Sequence, residues 1–259
     1  MTEETATRLL APAKLTVSLR VTGVRPDGYH ELNAEMVTLD LADELELDPE
    51  GSGLAVAVGQ GIRADRLPEP GQNLVERALA ACGRTAAVRL TKRIPLGGGL
   101  GGGSADAAAV LRWAGCADTE VAVRLGADVP FCLAGGRARV EGVGEKVTAL
   151  PFEPRQYLLL LPPFGVETAR VYRAWDEDSR QEGPNALAAA ALVVEPRLAP
   201  WRDALGDWAG SEPVLAGSGS TWFVEGGATG KAVPEELRIG AETARLVRAH
   251  TVPAGWGGD

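Results

Sequence analysis

Apolar and polar positions alternate over Met36–Leu47 (MVTLDLADELEL), Leu54–Val58 and Ala87–Lys92 (AVRLTK). A period of two predicts strands that bury one face, so the first third reads as strand-rich, interrupted by a helix over about Gln72–Cys82. Ser104–Trp113 (SADAAAVLRW) is alanine-rich, lacks internal Gly and Pro and opens on a Ser, which predicts a helix with a side-chain cap at its start. Ala138–Leu150 reads as a hairpin, and Tyr157–Leu161 as a buried strand stopped by Pro162 and Pro163. A domain boundary is expected here, dividing residues 1–152 from 153–259. In the second part, Ala186–Val194 and Trp201–Trp208 read as helices, Val214–Val224 as strand, loop and strand, and Ala244–Val252 as a closing strand before a frayed Pro253–Asp259.

Composition narrows the function classes. The 259 residues are 45% hydrophobic and 24% charged, enough to bury a sizeable core. A net charge of −9 repels nucleic acid and anionic membranes, so neither is an expected partner. Cys82, Cys116 and Cys132 are odd in number and show no CxxC spacing, which speaks against a disulfide framework or structural zinc and for a reducing cytoplasm. The opening MTEETATRLLAPAK has neither the basic start nor the apolar core of an export signal, and Tyr157–Val166 and Ala186–Val194 are too short to cross a bilayer. A soluble cytoplasmic protein is expected.

Lys92–Asp106 (KRIPLGGGLGGGSAD) places six glycines within seven positions, directly before the helix at Ser104. Glycines let backbone N–H groups turn toward a ligand, and a helix start adds free N–H groups and a positive dipole end, so this is an anion site in outline. Gly97, Gly99 and Gly102 satisfy GxGxxG, but Pro95 separates the loop from its strand and no βαβ succession follows. Gly226–Lys231 (GGATGK) has the wrong spacing for a P-loop and is followed by Ala232. A flexible linker would be mixed with polar residues and is rarely sealed by a helix start.

The pattern resembles the GHMP kinase superfamily, whose second motif is a proline, a glycine-rich loop, a Ser and a helix that cradle nucleotide phosphates. Here that motif is Ile94–Ala107 (IPLGGGLGGGSADA), and the other two match Ala11–Ser18 (APAKLTVS) and Leu215–Phe223 (LAGSGSTWF), in the superfamily's order. Val21–Leu32 (VTGVRPDGYHEL), Leu39–Glu44 (LDLADE) and Gly126–Phe131 (GADVPF) are similar to one branch of it. Members of that branch transfer the γ-phosphate of ATP to a hydroxyl of a cytidine-diphosphate-linked polyol in the non-mevalonate isoprenoid pathway. The resemblance implies an α+β, two-domain kinase: an N-terminal ATP-binding domain holding the first two motifs, a C-terminal domain contributing the third, and the active site in the cleft between them.

Residue roles follow from the same resemblance. Phosphoryl transfer needs mainly positioning and charge neutralisation. Asp128 is the implied acceptor-side carboxylate and Lys14 its partner. Pro95, Leu96, Gly97, Gly98, Gly99, Leu100, Gly101, Gly102, Gly103 and Ser104 would bind ATP, with Mg²⁺ carried mainly by the nucleotide and no dedicated metal site. Tyr29 and His30, presented by the Pro26-Asp27-Gly28 turn, match a cytosine-binding pair. Thr16, Thr168, Gly217, Ser218 and Gly219 complete the implied substrate contacts. Asp106 reads as a helix-end charge and is left outside the catalytic set.

Thr16 stands where the first motif normally has Asn, and Ala186 follows Asn185 where the family pattern has an acid. Two rival readings stay open: another GHMP kinase acting on mevalonate-type, homoserine or sugar substrates, and a nucleotide-binding protein without catalysis. A Ser-His-acid hydrolase is disfavoured, since only His30 and His250 are available and no GxSxG occurs. The partner is expected to be a small molecule, and monomer and weak dimer both remain open.

Overall fold

The computed structural model describes residues 6–59, 61–62, 64–116, 118–226 and 232–257. Thr7–Val24 forms β1, a long strand that the pattern reading leaves unassigned, and it pairs antiparallel along His30–Asp48, β2. The register slips between Pro12 and Lys14 and again between Thr16 and Ser18. Bulges of this kind re-aim side chains, and here they flank Lys14 and Thr16.

Gly53–Val58 (β3) pairs parallel with Ala87–Lys92 (β4), and Leu74–Ala81 forms α1 between them, capped by the Asn73 side chain accepting from the Val75 N–H. The second edge of β2 is shared: Glu44–Asp48 pairs with β4, and Leu32–Val37 with Arg137–Gly142 (β5), whose hairpin partner is Lys146–Ala149 (β6). Gly102–Trp113 (α2), Thr119–Leu125 (α3) and Val129–Ala134 (α4) lie between β4 and β5 in the chain. The α2 stretch Ala105–Leu111 is buried throughout; its small alanines let the helix pack closely against α1, α4 and β1.

The second sheet begins at Gln156–Leu161 (β7), which is buried from Tyr157 onward. Thr168–Glu177 (α5), Ala188–Val194 (α6) and Leu198–Ala209 (α7) follow, then Val214–Leu215 (β8), Trp222–Glu225 (β9), Glu236–Ile239 (β10) and Glu242–His250 (β11). Their order is β10-β11-β7-β9-β8. Backbone bridges from Leu19 to Asn185 and from Leu39 to Thr251 tie the two halves of the chain.

The expected side-chain cap on the glycine-loop helix is corrected. The helix begins at Gly102, Gly101 occupies the cap position with φ 67°, and no side chain caps it. Ser104 lies inside the first turn, because the left-handed glycine ends the loop before the serine is reached. The GGATGK string runs outside the described residues from Gly227 onward, as do the last two residues of the frayed tail.

Candidate active site

A cleft of about 380 Å³ opens where the glycine loop, β1, the start of α4, α5 and the loop after β8 converge. Its lining includes Lys14, Thr16, Pro95 through Ser104, Asp128, Thr168, Gly217 and Ser218. Three sequence-predicted residues are outside that lining. Gly219 lies one residue behind it, with its carbonyl facing Gly99, whereas Tyr29 and His30 sit at the β1–β2 turn.

Backbone contacts explain how the motifs come together. The Lys14 N–H donates to the Leu100 carbonyl at 3.0 Å, and the Thr221 N–H to the Gly98 carbonyl at 3.2 Å. Gly99 has φ 76°, and a Cβ there would stand 2.1 Å from the Ala216 carbonyl oxygen. At Gly101, a Cβ would stand 2.7 Å from Lys14 Cγ. Only glycine permits this approach, so the loop sequence is a packing requirement as well as a source of N–H donors.

The Lys14 ammonium is buried, lies 3.3 Å from Asp128 Oδ2 and donates to Thr16 Oγ1 at 3.1 Å. Asp128 precedes α4, but its carboxylate caps no N–H there and faces the cleft. Tyr172 borders the same cleft; burial, and then the Asp128 charge, push its phenol well above the ordinary range, so it remains a neutral hydroxyl. The Thr168 and Ser218 hydroxyls share a hydrogen bond at 2.8 Å. Asn185 builds the loop after β8: its Nδ2 donates to the Leu215 and Gly217 carbonyls at 2.8 and 2.7 Å, and its Oδ1 accepts from the Leu187 N–H.

Beneath the loop lies a cluster that sequence reasoning missed. Asp106, read as a helix-end charge, is only 2% exposed. Lys92 donates to Asp43 and, at 2.6 Å, to Asp106, while Asp43 also accepts from the Arg93 and Ile94 N–H groups. Two carboxylates thus face one ammonium. Asp43 has the additional donors, whereas Asp106 Oδ1 has none among the described residues. Burial pushes the Asp106 carboxyl up to about 8, the Lys92 charge offsetting part of that rise and Asp43 adding to it. Burial alone would lower the Lys92 pKa, but the facing carboxylates outweigh it and the net shift is upward. The available sequence signal was the buried side of α2, on which Asp106 sits among alanines.

The Tyr29 turn has the expected shape: the Gly28 N–H donates to the Arg25 carbonyl and the Tyr29 N–H to Asp27 Oδ1. Tyr29 is 64% exposed, leaving its ring face open. Among the described residues no group of three or more His, Cys, Asp or Glu could hold a metal, and no helix is long and apolar enough to cross a membrane.

Residues 73–136 match the GHMP kinases N terminal domain. The chain is 45% identical to the 4-diphosphocytidyl-2-C-methyl-D-erythritol kinase of Pelotomaculum thermopropionicum over 64% of this chain and 62% of that protein. It is 34% identical to the enzyme of that name from Carboxydothermus hydrogenoformans over 83% of this chain and 86% of that one. A crystal structure of 4-(cytidine 5'-diphospho)-2C-methyl-D-erythritol kinase superposes with a TM-score of 0.66 at 35% identity, covering 84% of this chain and 89% of that one. With likeness of sequence and fold over most of both lengths, the α+β chain belongs to the 4-diphosphocytidyl-2-C-methyl-D-erythritol kinase family, the ATP-dependent small-molecule kinases of the GHMP superfamily.

Proposed function

We propose that this chain transfers the γ-phosphate of ATP to the 2-hydroxyl of 4-diphosphocytidyl-2-C-methyl-D-erythritol, in the methylerythritol phosphate route to isoprenoid precursors. The observation that carries the reading is the meeting of Lys14 and Asp128 on the glycine-loop cleft. In this reading Asp128 accepts the acceptor hydroxyl's proton as the O–P bond forms, and Lys14 balances charge on the transferred group. The loop Gly97–Gly103 and the N–H groups at the start of α2 hold the phosphates. Mg²⁺ arrives on ATP; Ser104 and Asp128 are oxygen donors on the cleft wall, and Mg²⁺ bound to phosphates needs only one or two such ligands. Tyr29 and His30 take the cytosine, and Thr16, Thr168, Gly217, Ser218 and Gly219 shape the polyol end.

Residues 1–152 and 153–259 serve as the two domains, consistent with two sheets that divide between Ala149 and Gln156. The net charge of −9 suits a cytoplasmic enzyme of small molecules with no nucleic-acid or membrane partner, working as a monomer or weak dimer.

The test is ADP release with Mg²⁺ on the cytidylated methylerythritol, mevalonate, homoserine and galactose, for wild type and Asp128→Asn together. Turnover confined to the cytidylated alcohol and lost in the variant is expected. ATP binding without turnover on any acceptor would overturn catalysis, and turnover on another acceptor would overturn the Tyr29 and His30 assignment.

A further inference from the structure

We propose that Asp176 is a positioning residue for His30 and, through it, sets the preference for cytosine over uracil. The proposal rests on the reading of His30 as a base-binding residue. His30 Nε2 lies 2.7 Å from Asp176 Oδ1, a contact between the first residue of β2 and the last turn of α5. An ionised carboxylate only accepts, so Nε2 carries the proton. The neutral ring then has an acceptor lone pair at Nδ1, which has no partner among the described residues and is not sealed from solvent.

The ring is held from its other sides as well. Its centroid is 4.6 Å from that of Tyr172, tilted by 33°, and 5.5 Å from Trp175 in an edge-on arrangement. Tyr172, Trp175 and Asp176 are spaced i, i+3 and i+4, so one face of α5 supplies the two aromatic contacts and the carboxylate. Tyr172 also lines the cleft, placing this assembly at its border. Of the four side chains involved, only Trp175 has a buried polar atom, Nε1, without a partner among the described residues.

A fixed acceptor at Nδ1 complements the exocyclic amino group of cytosine. Uracil carries a carbonyl oxygen at that position, and two acceptors face to face cost the hydrogen bond and leave both unpaired. Without Asp176 the imidazole can move its proton to Nδ1, and the discrimination weakens.

The experiment compares wild type, Asp176→Ala, Asp176→Glu, His30→Ala and the double alanine variant at pH 8, each assayed with the cytidine-linked substrate and with its uridine-linked analogue. For Asp176→Ala we expect an about ten-fold higher KM for the cytidine-linked substrate and a reduced cytidine-over-uridine ratio, as loss of one hydrogen bond predicts. The kcat, the KM for ATP and the Tm should stay close to wild type. Asp176→Glu should recover part of the loss, and the double variant should match His30→Ala. An Asp176→Ala enzyme with unchanged KM beside a His30→Ala enzyme with a raised one overturns the role of Asp176 alone. An unchanged KM in His30→Ala overturns the base-binding reading too, and equal rises in both KM values mark a merely structural residue.

Discussion

Lys14 on β1 and Asp128 at the head of α4 meet with Nζ 3.3 Å from Oδ2, and Thr16 accepts from the same ammonium at 3.1 Å. The bulges on both sides of Lys14 turn it out of the strand's regular alternation and under Gly101. A buried ammonium with a single carboxylate and a hydroxyl is costly unless the arrangement is used. Groups that act as one unit are non-additive when removed. Asp128→Asn and Lys14→Met should each lower kcat by about 10²–10⁴-fold, with the double variant far less impaired than the product of the two. Steady-state kinetics on all three variants checks this; multiplicative losses would separate the two roles.

Gly99 is the position where the second and third motifs touch. Its φ of 76° and the Ala216 carbonyl 2.1 Å from a notional Cβ make Gly99→Ala both strained and obstructed. The variant should lose about 2 kcal/mol or more of stability and raise the KM for ATP, because the loop must withdraw from its support. Urea unfolding and ATP titration read the two effects, and an unaltered urea midpoint would contradict the packing argument.

Burial pushes the Asp106 carboxyl up to about 8 in the folded chain, far above the ordinary aspartate value of 3.8. The folded chain therefore keeps a proton that the unfolded chain releases, so this group's stabilising contribution is complete below about pH 4 and is lost as pH rises through about 8. Asp106→Asn retains a neutral partner for the cluster and should flatten the fall in stability across that window. Urea midpoints measured from pH 5 to 8 for both proteins give the difference curve; parallel curves would remove Asp106 as its source. Lys92→Met, which takes the ammonium away from the buried Asp43 carboxylate, should cost about 3–5 kcal/mol.

The exposed Tyr29 ring is expected to matter for one substrate only. Tyr29→Ala should raise the KM for the cytidine-linked substrate, since a stacking contact is worth about 1–3 kcal/mol, and leave ATP binding nearly unchanged. Equal loss of both would sink the assignment.

Asn185 connects the chain crossing near Leu19 to the loop after β8 through two donated bonds and one accepted bond. Asn185→Ala leaves the Leu215 and Gly217 carbonyls unpaired and should cost about 1–3 kcal/mol while lowering kcat more than it changes either KM. A differential scanning profile beside the kinetics separates the two consequences.

Local chemistry was legible in the sequence wherever it depended on neighbours along the chain. Period-two alternation located β2, β3 and β4, the alanine run located α2, and the Pro-Asp-Gly turn before Tyr29 formed as its residues require. The long strand β1 escaped notice because both of its faces meet protein at Ala11–Thr16, which removes the alternation that signals a strand. The Ser104 cap was misplaced for a related reason: in a run of glycines, only the backbone angle at Gly101 decides which residue ends the loop.

What the sequence determined by itself was the set of motifs, their order and the residue types that phosphate and pyrimidine chemistry require. Tertiary structure alone decided that Asp43, Lys92 and Asp106 share one buried charge cluster, and that α5 brings Tyr172, Trp175 and Asp176 to His30. The physical reason is range: propensity and periodicity act over a few residues, whereas an ion pair or a ring contact joins whatever the folded core carries to the same place.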